Sequence, residues 1–176
     1  MAGLGGTFRR HRCGGEVTSA APVKLMRVAT VLSGVGILLA TYLTWVHFNS
    51  GSLVCGLGDC HTVQASTYAT IGPVPVAVLG LGMYAMVCVA NLLALTQPAR
   101  VIASSVAAFG LLLAGTLYAV YLTWLEVAMI RAICQWCVAS ALLSVVLLAV
   151  QSVIVWEVLL RPLPDADETS NAPLAS

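Results

Sequence analysis

Apolar positions along this chain do not alternate with polar ones; they run on for whole helices at a time. Four windows stand out, about 28–48, 75–96, 101–125 and 133–156, and each reaches the roughly 20 mostly apolar residues that a helix needs to cross hydrocarbon. Polar residues are confined to the joints. The linker 49–73 is the longest connection, Gln97 to Arg100 is a tight turn, and Glu126 to Ala132 is short. The pattern predicts an all-α membrane protein, a four-transmembrane-helix bundle with a long loop between helices 1 and 2. The first window is longer than the roughly 7–15 apolar residues of a signal peptide, and aromatics follow it where a cleavage site needs small residues, so it is expected to remain as an anchor.

Composition sharpens this picture. Apolar residues make up 60% of the chain and charged residues 9%, against roughly 25% charged in a soluble domain. Of the fifteen charged residues, ten lie before Val28 or after Leu160, which leaves Asp59, Arg100, Glu126, Arg131 and Glu157 between. Basic loop ends are retained in the cytoplasm. With the amino terminus inside, Arg9, Arg10, Arg12, Lys24, Arg27, Arg100 and Arg161 all fall on the cytoplasmic side, and only Arg131 faces out. The chain is therefore expected in the plasma (inner) membrane with both termini cytoplasmic. Residues 1–27 read as a basic arm, and 157–176, rich in proline and acids, as a disordered tail. Nothing points to nucleic acid.

This topology sorts the cysteines. Cys55 and Cys60 fall in the outer loop and Cys134 and Cys137 at the outer end of the fourth span, on the side where disulfides persist. Cys13 lies in the arm, and Cys88 lies within the second span. On a helix, residues three apart share a face, and a helix amino end favours the thiolate; Cys134 and Cys137 have both advantages. A bridge closing so small a loop would stabilise the fold little, so this pair reads as redox-active. For Cys55 and Cys60 a structural tie competes closely with a redox role. Gly56 and Gly58 would let that pair swing between a soluble partner and the membrane surface. The tetrapeptide Tyr-Leu-Thr-Trp occurs at 42–45 and again at 121–124, with nine residues before Cys55 and Cys134 respectively. Both copies fit the aromatic belt at the outer interface.

Four features in order, C-x4-C, S-x-Y-A, PVAVLGLGMY and a C-x2-C opening the last apolar helix, resemble the vitamin K epoxide reductase family, specifically its bacterial members that drive disulfide formation. The likeness spans residues 28–156. It implies a four-helix domain holding a quinone (ubiquinone or menaquinone) near the outer surface. Carried over by position, Cys137 is nearest the quinone, Cys134 exchanges with the loop pair, Cys55 and Cys60 take electrons from a DsbA-like thioredoxin-fold partner, and Ser66 is a hydrogen-bonding residue nearby. Vertebrate members carry an asparagine and a tyrosine where this chain has Val76 and Ala141. That favours quinone reduction over epoxide reduction. The family's usual glycine before the PVA segment is Pro73 here, which is expected to stiffen the entry to the second span and alter the pocket rim. The chain ends soon after the fourth span, so the partner is expected to be a separate polypeptide, and the protein a monomer.

The remaining polar residues read as structural. His61 beside Cys60 is a thiolate helper, a metal ligand or simply solvated, and His47 is expected to pack in the belt. Asp59 is expected to raise the pKa of Cys60. Glu126 and Arg131 are expected to pair or to close the loop over the bundle, a structural role ahead of a catalytic one. Gly36 with Ala40, and Gly110 with Ala114, have the small-x-x-x-small spacing of close helix contacts. A membrane metal-binding or transport protein is the competing class, since paired cysteines suit soft ions. Apart from Cys88, however, the spans lack the ladder of polar groups that such a path needs.

Overall fold

The computed structural model describes residues 20–49 and 59–160; the side chains of Ala20, Ala21 and His61 are not described. Residues 1–19 with Cys13, residues 50–58 with Cys55, Gly56 and Gly58, and residues 161–176 lie outside these limits; residues 157–160, expected as the start of the disordered tail, are the last residues of a helix. Four long helices form the body: α1 (Ala20–Asn49), α3 (Val76–Thr96), α4 (Val101–Leu125) and α5 (Gln135–Leu160). All four are long and apolar enough to cross a membrane. The first begins earlier than the pattern predicts, because residues 20–27 continue the helix through Lys24 and Arg27. In the ring they form, α1 packs on α3 and α5, and α4 packs on the same two.

Much of the apolar surface points outward. On α1, Val31, Leu38 and Trp45 are 68%, 72% and 67% exposed, an apolar stripe suited to a lipid surrounding. The bundle interior combines large apolar side chains, Tyr84, Leu112, Leu147 and Ile154, with small and polar ones: Ser33, Asn91, Ser105, Ser144 and Gln151 are almost wholly buried. With no water in hydrocarbon, such groups favour bonds within the protein, and most find one, although Ser105 Oγ and Gln151 Oε1 have no partner among the described residues. Ser33 Oγ donates to the Ala29 carbonyl at 2.7 Å, Asn91 Nδ2 to Val87 O at 3.0 Å, and Gln151 Nε2 reaches across to Ser105 O at 3.2 Å.

Tyr84 is the keystone of the upper half. Its ring is 1% exposed, and its hydroxyl donates to the Ser140 carbonyl at 2.9 Å, with Ser140 Oγ at 3.1 Å, tying α3 to α5. Gly36 makes room for the ring, since a Cβ there would lie 2.5–2.7 Å from ring carbons. Gly110 plays no such part: a Cβ there meets nothing within 4 Å. The spacing argument misassigned it because a small-residue pattern does not say which face of the helix meets a neighbour. Gly115, on the same helix, is the glycine packed against Met83.

Between α1 and α3, residues 59–75 are folded rather than a plain linker. Asp59 opens the short helix α2 (Cys60–Gln64), accepting from the Thr62 amide at 3.1 Å and the Thr62 hydroxyl at 2.5 Å, the bonding of an N-cap. A one-turn 3-10 helix at Thr67–Ala69 leads into a hairpin of β1 (Thr70–Ile71) and β2 (Val74–Pro75). Gly72, at φ +60°, takes the first turn position, a left-handed conformation that glycine tolerates without penalty. Pro73 is the exposed second turn residue.

Gly36→Ala is expected to destabilise the bundle by about 1–3 kcal/mol, the range for overpacking a fixed core, because Tyr84 is held by Ser140 and cannot step aside. Thermal unfolding in detergent should show a lowered midpoint for Gly36→Ala. Gly110→Ala should leave it unchanged or slightly raised.

A candidate dithiol site at the amino end of the last helix

The segment that joins α4 to α5 builds the site. α4 runs on into a π turn, Glu126–Ile130, and the chain reverses at Arg131, whose φ of 54° is left-handed. Both amides after the turn bond back to one atom: the Arg131 N–H and the Ala132 N–H, the latter at 3.2 Å, donate to the Glu126 carbonyl. Widened turns of this kind recur at functional sites. Here the turn aims the Glu126 side chain inward, where it is 4% exposed. Its Oε2 accepts the Cys134 N–H at 3.1 Å. The expected pairing with Arg131 therefore does not form: Arg131 is exposed, while the carboxylate is committed to the start of α5.

Cys134 occupies the N-cap position of α5, since its carbonyl accepts from the Val138 amide at 3.0 Å. Its sulfur does what a capping oxygen ordinarily does, accepting from the amides of Trp136 and Cys137. The Cys137 thiol also donates to it. That bond is the main reason why the Cys134 thiol is lowered to about 7, helped by the two amides and opposed by burial and by the charge of Glu126. Cys134 is fully buried and is the inner member of a cluster with Val46, Cys60 and Val63, against which Tyr42, Trp136 and Cys137 pack. The rings of Tyr42 and Trp136 meet edge to face at 5.3 Å.

Cys60 is fully buried as well, which corrects the expectation of an exposed loop thiol. The Asp59 N–H donates to Ile133 O at 3.1 Å, docking α2 on the segment before Cys134 and bringing Cys60 into the same cluster. Cys60 is disulfide-bonded, whereas Cys88, Cys134 and Cys137 are free thiols. The expected effect of Asp59 on a Cys60 thiol thus has no target in this state; the carboxylate is engaged in capping α2. Cys55 lies outside the described residues. His47 meets Phe48 edge to face at 5.6 Å.

Below the cluster a cavity of about 310 Å³ opens between the helices. Cys137, Ser66, Val76 and Ala141 all line it, together with Glu126, Tyr84 and Ser140. Ser66 donates its hydroxyl to Val63 O at 2.7 Å, so it fixes the end of α2 while presenting its oxygen to the cavity. Pro73 is not part of the wall; Tyr68, Ala69 and Val76 form that rim. Three of the four paired cysteines thus sit at one end of the bundle, Cys134 in one buried cluster with Cys60 and Cys137 on the cavity wall. The residue that the sequence reading undervalued is Glu126. Its signal was present: an acid inside an apolar run is a functional candidate by default.

A match to the vitamin K epoxide reductase family covers residues 27–152, well over half of the chain. The protein belongs to that family: it is a multi-pass membrane thiol oxidoreductase, and the four-helix body and the cysteine-bearing end described above are the parts within the match.

Thiolate absorbance at 240 nm, followed with Cys134 and Cys137 reduced, should rise with pH through a midpoint of about 7, thiol below and thiolate above. Cys137→Ala removes the main stabilising bond and should move that midpoint upward. An unchanged midpoint would show that the Cys137 thiol does not support the Cys134 thiolate.

Proposed function

We propose that this chain is a disulfide-forming member of its family: it reoxidises a secreted DsbA-like thioredoxin-fold protein through two cysteine pairs and passes the electrons to a membrane quinone. One observation carries the reading. Within a single C-x2-C motif, Cys134 shares a buried cluster with Cys60 while Cys137 lines the cavity, so the motif joins a cysteine cluster to a ligand space.

In this reading the partner's dithiol reduces the Cys55–Cys60 disulfide, and the loop dithiol in turn reduces a Cys134–Cys137 disulfide. Each exchange breaks one S–S bond and forms another, and the attacking sulfur is a thiolate. Cys134 suits the exchanging role, because its low pKa makes it a good leaving group when a loop sulfur attacks it. The state with Cys60 in a disulfide and Cys134 and Cys137 as thiols is the one in which the inner pair holds the electrons.

The cavity suits a quinone head group. Its volume lies at the lower end of the usual ligand range of about 300–1,000 Å³. Apolar walls from Val76, Ala141 and Leu111 meet polar groups from Ser66, Ser140 and Cys137. A bound quinone supplies an acceptor for two electrons and two protons. Ser66 and Ser140 would orient its oxygens, while Val76 and Ala141 offer no donor for an epoxide oxygen. The orientation that follows from the basic residues puts this end outside the cytoplasm, where secreted dithiols are found. The domain is then 28–156, flanked by the cytoplasmic arm and tail.

Purified protein is expected to reoxidise a reduced thioredoxin-fold protein only when quinone is added, and Cys137→Ser should abolish turnover while the bundle stays folded. Stoichiometric metal binding by the same thiols, without turnover, would replace this reading with the metal-handling one. Ala141→Phe should raise the KM for a short-chain quinone about tenfold, since overpacking costs of about 1–3 kcal/mol correspond to such factors. It should leave thiol exchange with the partner unaffected.

A further inference from the structure

Among the acids of the described residues, Asp59, Glu126 and Glu157, only Glu126 is buried. It is also placed where the chemistry needs a base. Its carboxylate is hydrogen-bonded to the Cys134 amide through Oε2 and to the Cys137 side chain, and it lines the same cavity as Cys137. The Cys137 thiol thus lies between a sulfur, that of Cys134, and a carboxylate. A purely structural account explains the first bond, since an unbonded amide at a buried helix start is costly. It does not explain the second.

We propose that Glu126 is a catalytic base that takes the Cys137 thiol proton as the Cys134–Cys137 disulfide forms, and delivers it on the cavity side. The inference rests on the quinone-reducing reading above and deepens it. When the inner dithiol is oxidised, two S–H bonds break and one S–S bond forms. The electron pair leaves to the quinone substrate, whose two oxygens take up two protons. One of the two protons comes from Cys134, whose thiol is made more acidic by the Cys137 bond and the helix amides; the other comes from Cys137, which lines the cavity. Glu126 is the carboxylate in contact with that sulfur. The other ionisable side chains on the cavity wall are the phenols of Tyr68, Tyr84 and Tyr118, and a carboxylate is the group ordinarily ionised, hence free to accept a proton, at neutral pH. From the α2 side the wall carries Val63, Gln64 and Ser66, none of them ionisable, and Arg131 is exposed on the turn below.

Glu126→Gln separates this role from a structural one, because the amide oxygen still accepts the Cys134 N–H but the side chain no longer takes a proton. In the full chain, reduced in detergent and mixed with a short-chain quinone, dithiol oxidation should slow about 100-fold in Glu126→Gln. Its pH profile should lose the limb that reports the carboxylate, and Glu126→Asp should recover part of the rate. Infrared difference spectra between the disulfide and dithiol states, prepared by chemical oxidation and reduction without quinone, should show a protonated-carboxyl band that vanishes in Glu126→Gln. A wild-type spectrum without that band, or a Glu126→Gln pH profile identical to wild type, overturns the proposal. If the wild-type protein reduces no quinone, the acceptor assignment fails instead, and the infrared band still decides the role of Glu126.

Discussion

The amino terminus of α5 is the constraint on which the rest of the site depends. A helix that begins inside a protein leaves several amides without partners, and here they are met by a carboxylate and a sulfur rather than by water. Glu126 takes the Cys134 N–H, and the Cys134 sulfur takes those of Trp136 and Cys137. The same bonds that finish the helix therefore hold the thiolate. Structure and reactivity share one set of donors.

That arrangement needs a rigid frame, and the bundle supplies it. Many large aliphatic side chains face outward, while the interior mixes Leu112, Leu147 and Ile154 with small and polar side chains that let helices approach and bond. Tyr84 shows how the two ends of the problem meet. Its ring fills the space left by Gly36, its hydroxyl fixes α3 to Ser140 on α5 one turn beyond Cys137, and its face forms part of the cavity wall. The cavity is thus a product of the packing that closes the bundle.

The two cysteines of the C-x2-C motif differ because of where that frame puts them. Cys134, at the N-cap, is buried in one cluster with Cys60 of α2; Cys137, one turn further, lines the cavity. One helical turn converts a symmetric motif into an exchange position and a ligand-facing position. The docking of α2 through the Asp59 amide and Ile133 makes the loop segment a lid over the sulfur cluster, and it explains why Cys60 is buried rather than exposed.

The four spans and the helix-opening position of Cys134 and Cys137 were legible along the chain because each depends on local periodicity or on a count of apolar residues. The family likeness, too, was carried by motifs that lie in linear order. What the chain could not reveal depends on contacts between distant segments. Gly36 and Gly110 have the same spacing signature, and only packing decides that the first meets Tyr84 and the second meets nothing. Asp59 looked like a perturbing charge beside Cys60 until the fold made it the cap of α2. Glu126 looked like half of a loop ion pair until the π turn and the left-handed Arg131 turned it inward. In each case the sequence determined which chemical groups were present, while the tertiary structure decided which of them touch, because a side chain's direction is set by backbone turns whose geometry no periodicity encodes.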